Sequence, residues 1–205
     1  MKKGQEIKQM LKQINNDVKF KKDYIVDSTS LNITASQNTF PDLHYSSDSN
    51  YYQMNDNSLN HLCNRLEIGT RYISKCLPVS QNLVNHNLNF WISNNKNKKL
   101  MLRTIEGHDI NRVRAIMSDR YKRIDSDVVA NSTLNKLMDM NAELKYSYYD
   151  GDNMNITAVL PKLEGEVVEG DFVQGGITIT NSEIGQGSLV VKPFIYRLVC
   201  TNGMV

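Results

Sequence analysis

Arg103, Arg112, Arg114, Arg120, Tyr121, Lys122 and Arg123 are the residues whose types and spacing could act together. A surface that follows a phosphate backbone needs several long cations, and one that holds unpaired bases needs planar side chains to stack on them. Tyr121, between Arg120 and Lys122, meets the second need. In an extended strand Arg112 and Arg114 are two apart and share a face, with Val113 and Ala115 opposite, and Arg103 can join them from a neighbouring strand. The bland alternative is a solvated charged hairpin in which Arg120 and Tyr121 are partly structural. Nothing in the set would read base sequence.

A second candidate is the polar link Asn181-Ser182-Glu183-Ile184-Gly185-Gln186-Gly187, between β-rich runs at Gly176 to Thr180 and Ser188 to Val199. In the second run Leu189, Val191, Ile195, Leu198 and Val199 are separated by polar residues, aromatics and Pro193, which predicts a bent or bulged strand at a sheet margin. Gly185 and Gly187 allow positive φ or close approach of a partner. Asn181, Ser182, Glu183, Gln186 and Ser188, with Arg197 and Asn202 beyond them, form a predicted interaction loop. An enzymatic site around Glu183, Arg120 and Arg197 is a third reading, without the spacing of a known catalytic motif.

Other chemistry finds no support in the spacing. His61-Leu62-Cys63 lacks a partner pair for a zinc site, and Gly185-Gln186-Gly187 lacks the Lys and the helix that follow a phosphate-cradling loop. Cys63 and Cys76 fall on apolar helix faces and Cys200 closes a strand, so all three read as buried thiols. Asp150 and Asp152 could bind a cation, but turn chemistry explains them. The expectation is a protein with no catalytic residues, no metal and no cofactor.

The 205 residues, with 40% hydrophobic and 22% charged, suit one good core plus a helical appendage. The abundant Asn and Lys point to an AT-rich genome. The net charge of +2 hides an asymmetry: nine bases face three acids from Lys96 to Arg123, and nine acids face two lysines from Asp139 to Glu183. Three cysteines without a CxxC pair, no signal-peptide pattern and no apolar run near 18 residues predict a cytoplasmic protein with free thiols and no membrane contact.

The positioning elements follow from periodicity. Ile7, Met10, Leu11, Ile14 and Val18 form one stripe of an amphipathic helix. Asp23 to Asp27 reads as a short strand, and Ser36 to Asn57 as loop. Ser58 to Pro78 reads as two packed helices, the first starting on an N-cap Ser58. Their spacing resembles a helix-turn-helix, but the second exposes only Arg71 and Lys75, which favours packing over groove reading. A third helix from Gln81 to Ile92 places Val84, Leu88, Trp91 and Ile92 towards a core. Two alternating runs, Lys99 to Ile105 and Asn111 to Met117, predict a hairpin through Glu106-Gly107-His108-Asp109. A helix from Ser126 to Met140 buries Val128, Val129, Leu134, Leu137 and Met138. Glu143 to Tyr149 and Asn153 to Leu160 predict a second hairpin, ended by Pro161. The predicted class is α+β: N-terminal helices over 1–95, then a largely antiparallel β-sheet over 96–205 with a helix packed between hairpins, all in one unit.

Arg114 to Asp125, RAIMSDRYKRID, and Asn181 to Ser188, NSEIGQGS, are similar to the "RAxLSDRYxxID" and "SNSExGxGSL" signatures of a family of phage- and plasmid-encoded proteins. Tyr196 to Met204 matches that family's "YRLVCTNGM", and the resemblance extends to Lys22-Asp23-Tyr24 and Leu59 to Tyr72. It implies a mobile-element protein and supplies no catalytic residue. Relatives continue beyond the asparagine-glycine motif, so the sequence, which ends at Val205, is short at its C-terminus by comparison. A more distant, fold-level likeness is to phage single-strand annealing proteins, which assemble into rings or filaments and so imply a homo-oligomer. The combined expectation is a non-enzymatic protein of the host cytoplasm that binds single-stranded DNA and promotes annealing and recombination through the Arg103 to Arg123 surface. The alternative is a protein-interaction module of a mobile element, directed at a host defence protein through the Asn181 to Ser188 loop and the acidic segment.

Overall fold

The computed structural model describes residues 6–36, 40–47, 49–96, 98–107, 110–169 and 171–197. The chain is α+β, but the strands form two sheets rather than one. It divides into a central unit, residues 19–122, and a flanking unit made of 1–18 and 123–205. The boundary expected near residue 95 falls inside the central unit.

The flanking unit opens with α1 (Ile7–Asp17). The central unit begins with β1 (Lys21–Asp27), where a short strand was expected, and β2 (Leu31–Thr34), and then builds β3 (Asp42–Tyr45) and β4 (Tyr52–Gln53) in a segment expected as loop. Three helices follow, α2 (Asp56–Arg65), α3 (Thr70–Cys76) and α4 (Gln81–Asn94), and then the hairpin β5 (Lys99–Ile105) and β6 (Arg112–Ser118). The sheet order is β1-β5-β6-β4-β3-β2, antiparallel except for the single parallel β4–β6 contact at Gln53 and Arg112. Leu31 and Ile33, Leu43 and Tyr45, and Leu100 and Leu102 alternate into one core with Leu59, Leu62, Val84 and Leu88 of the helices. Trp91 departs from expectation: it is 45% exposed, while Val84, Leu88 and Ile92 carry the packing of α4.

Side-chain amides finish this sheet where backbone partners run out. Asn89 accepts from Ile33 N–H at 2.8 Å and donates to Ile33 O at 2.9 Å, and Asn85 accepts from Ala35 N–H at 2.6 Å, so α4 closes the β2 edge. On β6, Asn57 Nδ2 donates to Arg114 O at 3.0 Å and His61 Nδ1 accepts from Ile116 N–H at 3.3 Å. Both pairs are four residues apart on one helix face, the spacing that brings side chains into line along a strand. Helix α2 begins one turn earlier than expected. Asn55 is its N-cap and Ser58 is the third helical residue, the two forming a reciprocal capping box.

The flanking unit continues with α5 (Ser126–Asp139), β7 (Glu143–Tyr149), β8 (Asn153–Glu166), β9 (Phe172–Ser182) and β10 (Val190–Arg197), in an antiparallel sheet ordered β10-β9-β8-β7. One face packs Met154, Ile156, Ala158 and Ile179 against Met10 and Ile14 of α1 and Val129, Ala130, Leu134 and Leu137 of α5. Each large apolar side chain buried this way contributes about 1.5–3 kcal/mol. Val128 and Met138, expected in that core, are 59% and 74% exposed. Pro161 does not end β8; the register shifts between Leu160 and Glu164 and the strand resumes. Among the described residues no helix is long and apolar enough to cross a membrane.

Candidate functional site

The cationic set separates into buried and exposed members. Arg103 is 2% exposed, directly across from Asp23 in the β1–β5 register, with Nε 2.9 Å from Oδ1 and Nη2 3.3 Å from Oδ2. Arg114 is 5% exposed and is the extra residue of a bulge, since Thr104 pairs with Val113 and Arg103 with Ala115. The bulge lets Val113 and Ile116, three apart, both reach the core, and moves Ala115 across from Arg103 instead of beside Val113. Arg103 and Arg114 therefore cannot belong to an open phosphate-binding face. Arg112, Arg120, Lys122 and Arg123 are exposed and Tyr121 is half-buried. Tyr121 N–H donates to Ser118 O at 3.0 Å, a turn that leads off the end of β6.

The loop expected to meet a partner also separates. Asn181, Ser182 and Glu183 are 4%, 7% and 1% exposed, and Asn181 and Glu183 hold the start of α5. Glu183 Oε1 accepts from Ser126 N–H at 3.0 Å, and Asn181 Nδ2 donates to Ile124 O at 2.9 Å. A carboxylate at a helix N-terminus satisfies an orphan donor and meets the positive end of the dipole. Gln186 and Ser188 are exposed. Arg197 is exposed and paired with Asp171 through Nε (2.8 Å) and Nη2. Asn202 and Cys200 lie outside the described residues.

The face of the flanking sheet opposite its core was not expected as a site. Register brings Tyr146 and Tyr148 of β7, Asn153 and Asn155 of β8 and Thr180 and Ser182 of β9 onto it. With Gln186 and Ser188 these residues line a cleft of about 360 Å³. Gly185, at φ 73°, turns the loop back, Gln186 N–H donates to Ser182 Oγ at 3.2 Å, and Asn153 Nδ2 donates to Gln186 Oε1 at 3.4 Å. Tyr148 donates to Asp150 at 3.0 Å, which fixes its ring. Further along the same face Phe194 covers Gly176, where a Cβ would collide with the ring, and Lys145 lies 5.6 Å from the Tyr196 ring centre. The sequence signals only part of this: Asn153-Met154-Asn155-Ile156 alternates strictly, the apolar half marking the core and the amides this face, whereas in β7 the buried Ser147 and Tyr149 are no more apolar than Tyr146 and Tyr148.

No family model, curated protein or solved structure matches the chain.

The strongest electrostatic cluster lies in the central unit. Glu106 accepts from Tyr24 (2.7 Å), Thr104 (2.9 Å), Tyr52 (3.2 Å) and Lys22 (2.9 Å). Burial pushes its carboxyl up, but the hydrogen bonds from Lys22, Tyr24 and Thr104 together outweigh burial and hold it below the usual carboxylate range. Burial, and then the bond to Glu106, drives the Tyr24 phenol well above its ordinary value. This ties β1, β4 and β5 together and leaves Glu106 a poor general base. Burial likewise raises the Cys63 thiol, the opposite of what a nucleophile needs. Among the described residues no three His, Cys, Asp or Glu side chains come together as metal ligands would.

Proposed function

We propose that the protein binds single-stranded DNA without covalent chemistry and promotes strand annealing. The observation that carries this reading is the run Arg120 to Arg123, in which Arg120, Lys122 and Arg123 stand exposed around the half-buried Tyr121. Cations on an irregular segment can follow phosphates, and annealing needs no more than strands held by their backbones with bases left free to pair. Arg112 adds a fourth exposed base. The phage and plasmid likeness of the same segment agrees with the reading.

The test is binding of a thymidine homopolymer, followed by fluorescence anisotropy across a salt series. Log affinity should fall linearly with log salt. Replacing Arg120, Lys122 and Arg123 by Gln should flatten that line by about 0.7 for each phosphate no longer neutralised. Absence of binding at low salt refutes the proposal.

A second reading, docking of a protein partner, is favoured by Leu163, Val167, Val168 and Ile195 at the end of the flanking sheet, which are 57%, 63%, 64% and 75% exposed. Neighbouring large apolar side chains left in water mark contact surfaces.

A further inference from the structure

We propose that the cleft on the open face of the flanking sheet holds a nucleobase, stacked on Tyr146 or Tyr148 and hydrogen-bonded along its edge by Asn153, Asn155 and Gln186. The source of the base, a bound single strand, rests on the function proposed above; the class of ligand rests on the cleft itself.

Three properties of the cleft select that ligand. Its volume, about 360 Å³, is near the lower limit of small-molecule sites, room for one ring system and its sugar rather than an extended cofactor. No residue lining it carries a formal charge, so it suits the neutral part of a nucleotide and not the phosphate. Among the hydroxyls that line it stand the side-chain amides of Asn153, Asn155 and Gln186, and an amide offers a donor beside an acceptor, the pairing a base edge presents in return. Asn155 gives its oxygen to Thr157 at 3.4 Å, and among the described residues its amide nitrogen has no partner.

The platform is also stiff. Tyr146 and Tyr148 are two residues apart on one strand, roughly 7 Å, close enough for both rings to border a single base. The reverse side of the same strands carries Met154, Ile156 and Ile179 in the core, so loss of a ring from the open face leaves the packing in place.

The experiment is NMR of the intact chain labelled with 13C in its tyrosine rings, titrated with the uncharged nucleosides thymidine and adenosine. Saturable shifts of the Tyr146 and Tyr148 signals are expected. They should persist when Arg120, Lys122 and Arg123 are all Gln, and the Tyr146 shift should vanish in Tyr148→Leu at an unchanged thermal midpoint. The homopolymer should bind Tyr148→Leu between about fivefold and about 150-fold more weakly than wild type, the range for one stacked base. If nucleosides move neither ring, the cleft proposal is wrong, and salt-dependent homopolymer binding would then leave the strand-binding function standing alone. Nucleoside binding without homopolymer binding supports the cleft and refutes the strand-binding function. Shifts produced by methyl glucoside but not by nucleosides overturn the proposal in favour of a carbohydrate. Should Tyr148→Leu unfold, Asn155→Leu reads the same site.

Discussion

Arg103→Met should cost the central unit about 3–5 kcal/mol, the penalty for breaking a buried ion pair by removing one of its members. The geometry supplies the magnitude. Asp23 and Arg103 are cross-strand partners, their side chains are 13% and 2% exposed, and the guanidinium meets the carboxylate through two nitrogens. At 2.9 Å and an effective dielectric of about 20 their gross attraction is about 6 kcal/mol, most of it offset by the desolvation of both ions. Removing the arginine takes from Asp23 its cross-strand counter-ion, and Asp23→Leu takes the carboxylate from the arginine, so each single change should be severe. The double variant Asp23→Leu/Arg103→Met replaces the pair with apolar packing and should return to within about 1 kcal/mol of wild type or above it. Trp91 is the only tryptophan and lies in α4, so its fluorescence during urea unfolding follows the central unit. A surface arginine that binds phosphate behaves differently: replacing it changes stability by about 0.5 kcal/mol or less and weakens oligonucleotide binding. If Arg103→Met loses under about 1 kcal/mol while homopolymer affinity falls, the structural assignment of Arg103 is refuted.

Two further outcomes separate scaffold from site. Glu183→Ala should cost about 2–3 kcal/mol, the loss of a charged acceptor from a buried helix terminus, and amide exchange at Ser126 should quicken while the salt dependence of strand binding stays the same; unchanged exchange would return Glu183 to the binding loop. His61 is held below the usual imidazole value by burial first and by Arg65 second, and its neutral Nδ1 accepts from Ile116. Its contribution to stability is therefore complete above pH 6.5 and declines as pH falls from there through the lowered folded value, so urea midpoints should show an acid step that His61→Leu lacks.

Helices α2 to α5 and both hairpins were legible because each rests on local periodicity and local turn or cap chemistry. Strands β2, β3 and β4 were not, being four, four and two residues long and set among Ser, Asn and Asp. Such segments are strands only because a distant partner completes them: Leu43 pairs with Ile33 on one side and Tyr52 on the other. Trp91 misled for a related reason. Its helical position sits beside the apolar stripe, and three smaller residues already fill the space beneath α4.

Periodicity by itself determined where backbone alternates, which thiols sit on apolar faces, and that Arg120 to Arg123 falls in an irregular segment between strand and helix. Only the tertiary structure decided which charges remain available. Alternation puts Arg103 on a strand face but says nothing of what stands across from it; the answer is Asp23, 80 residues earlier in the chain. Glu183 shows the same dependence, a polar loop residue in sequence that becomes a buried anchor because α5 begins 57 residues before it. The cleft, too, takes side chains from three strands and a loop, and only the register of those strands brings tyrosines and amides onto one face. A charge or an amide is defined by what surrounds it, and those surroundings come from parts of the chain that local sequence does not contain.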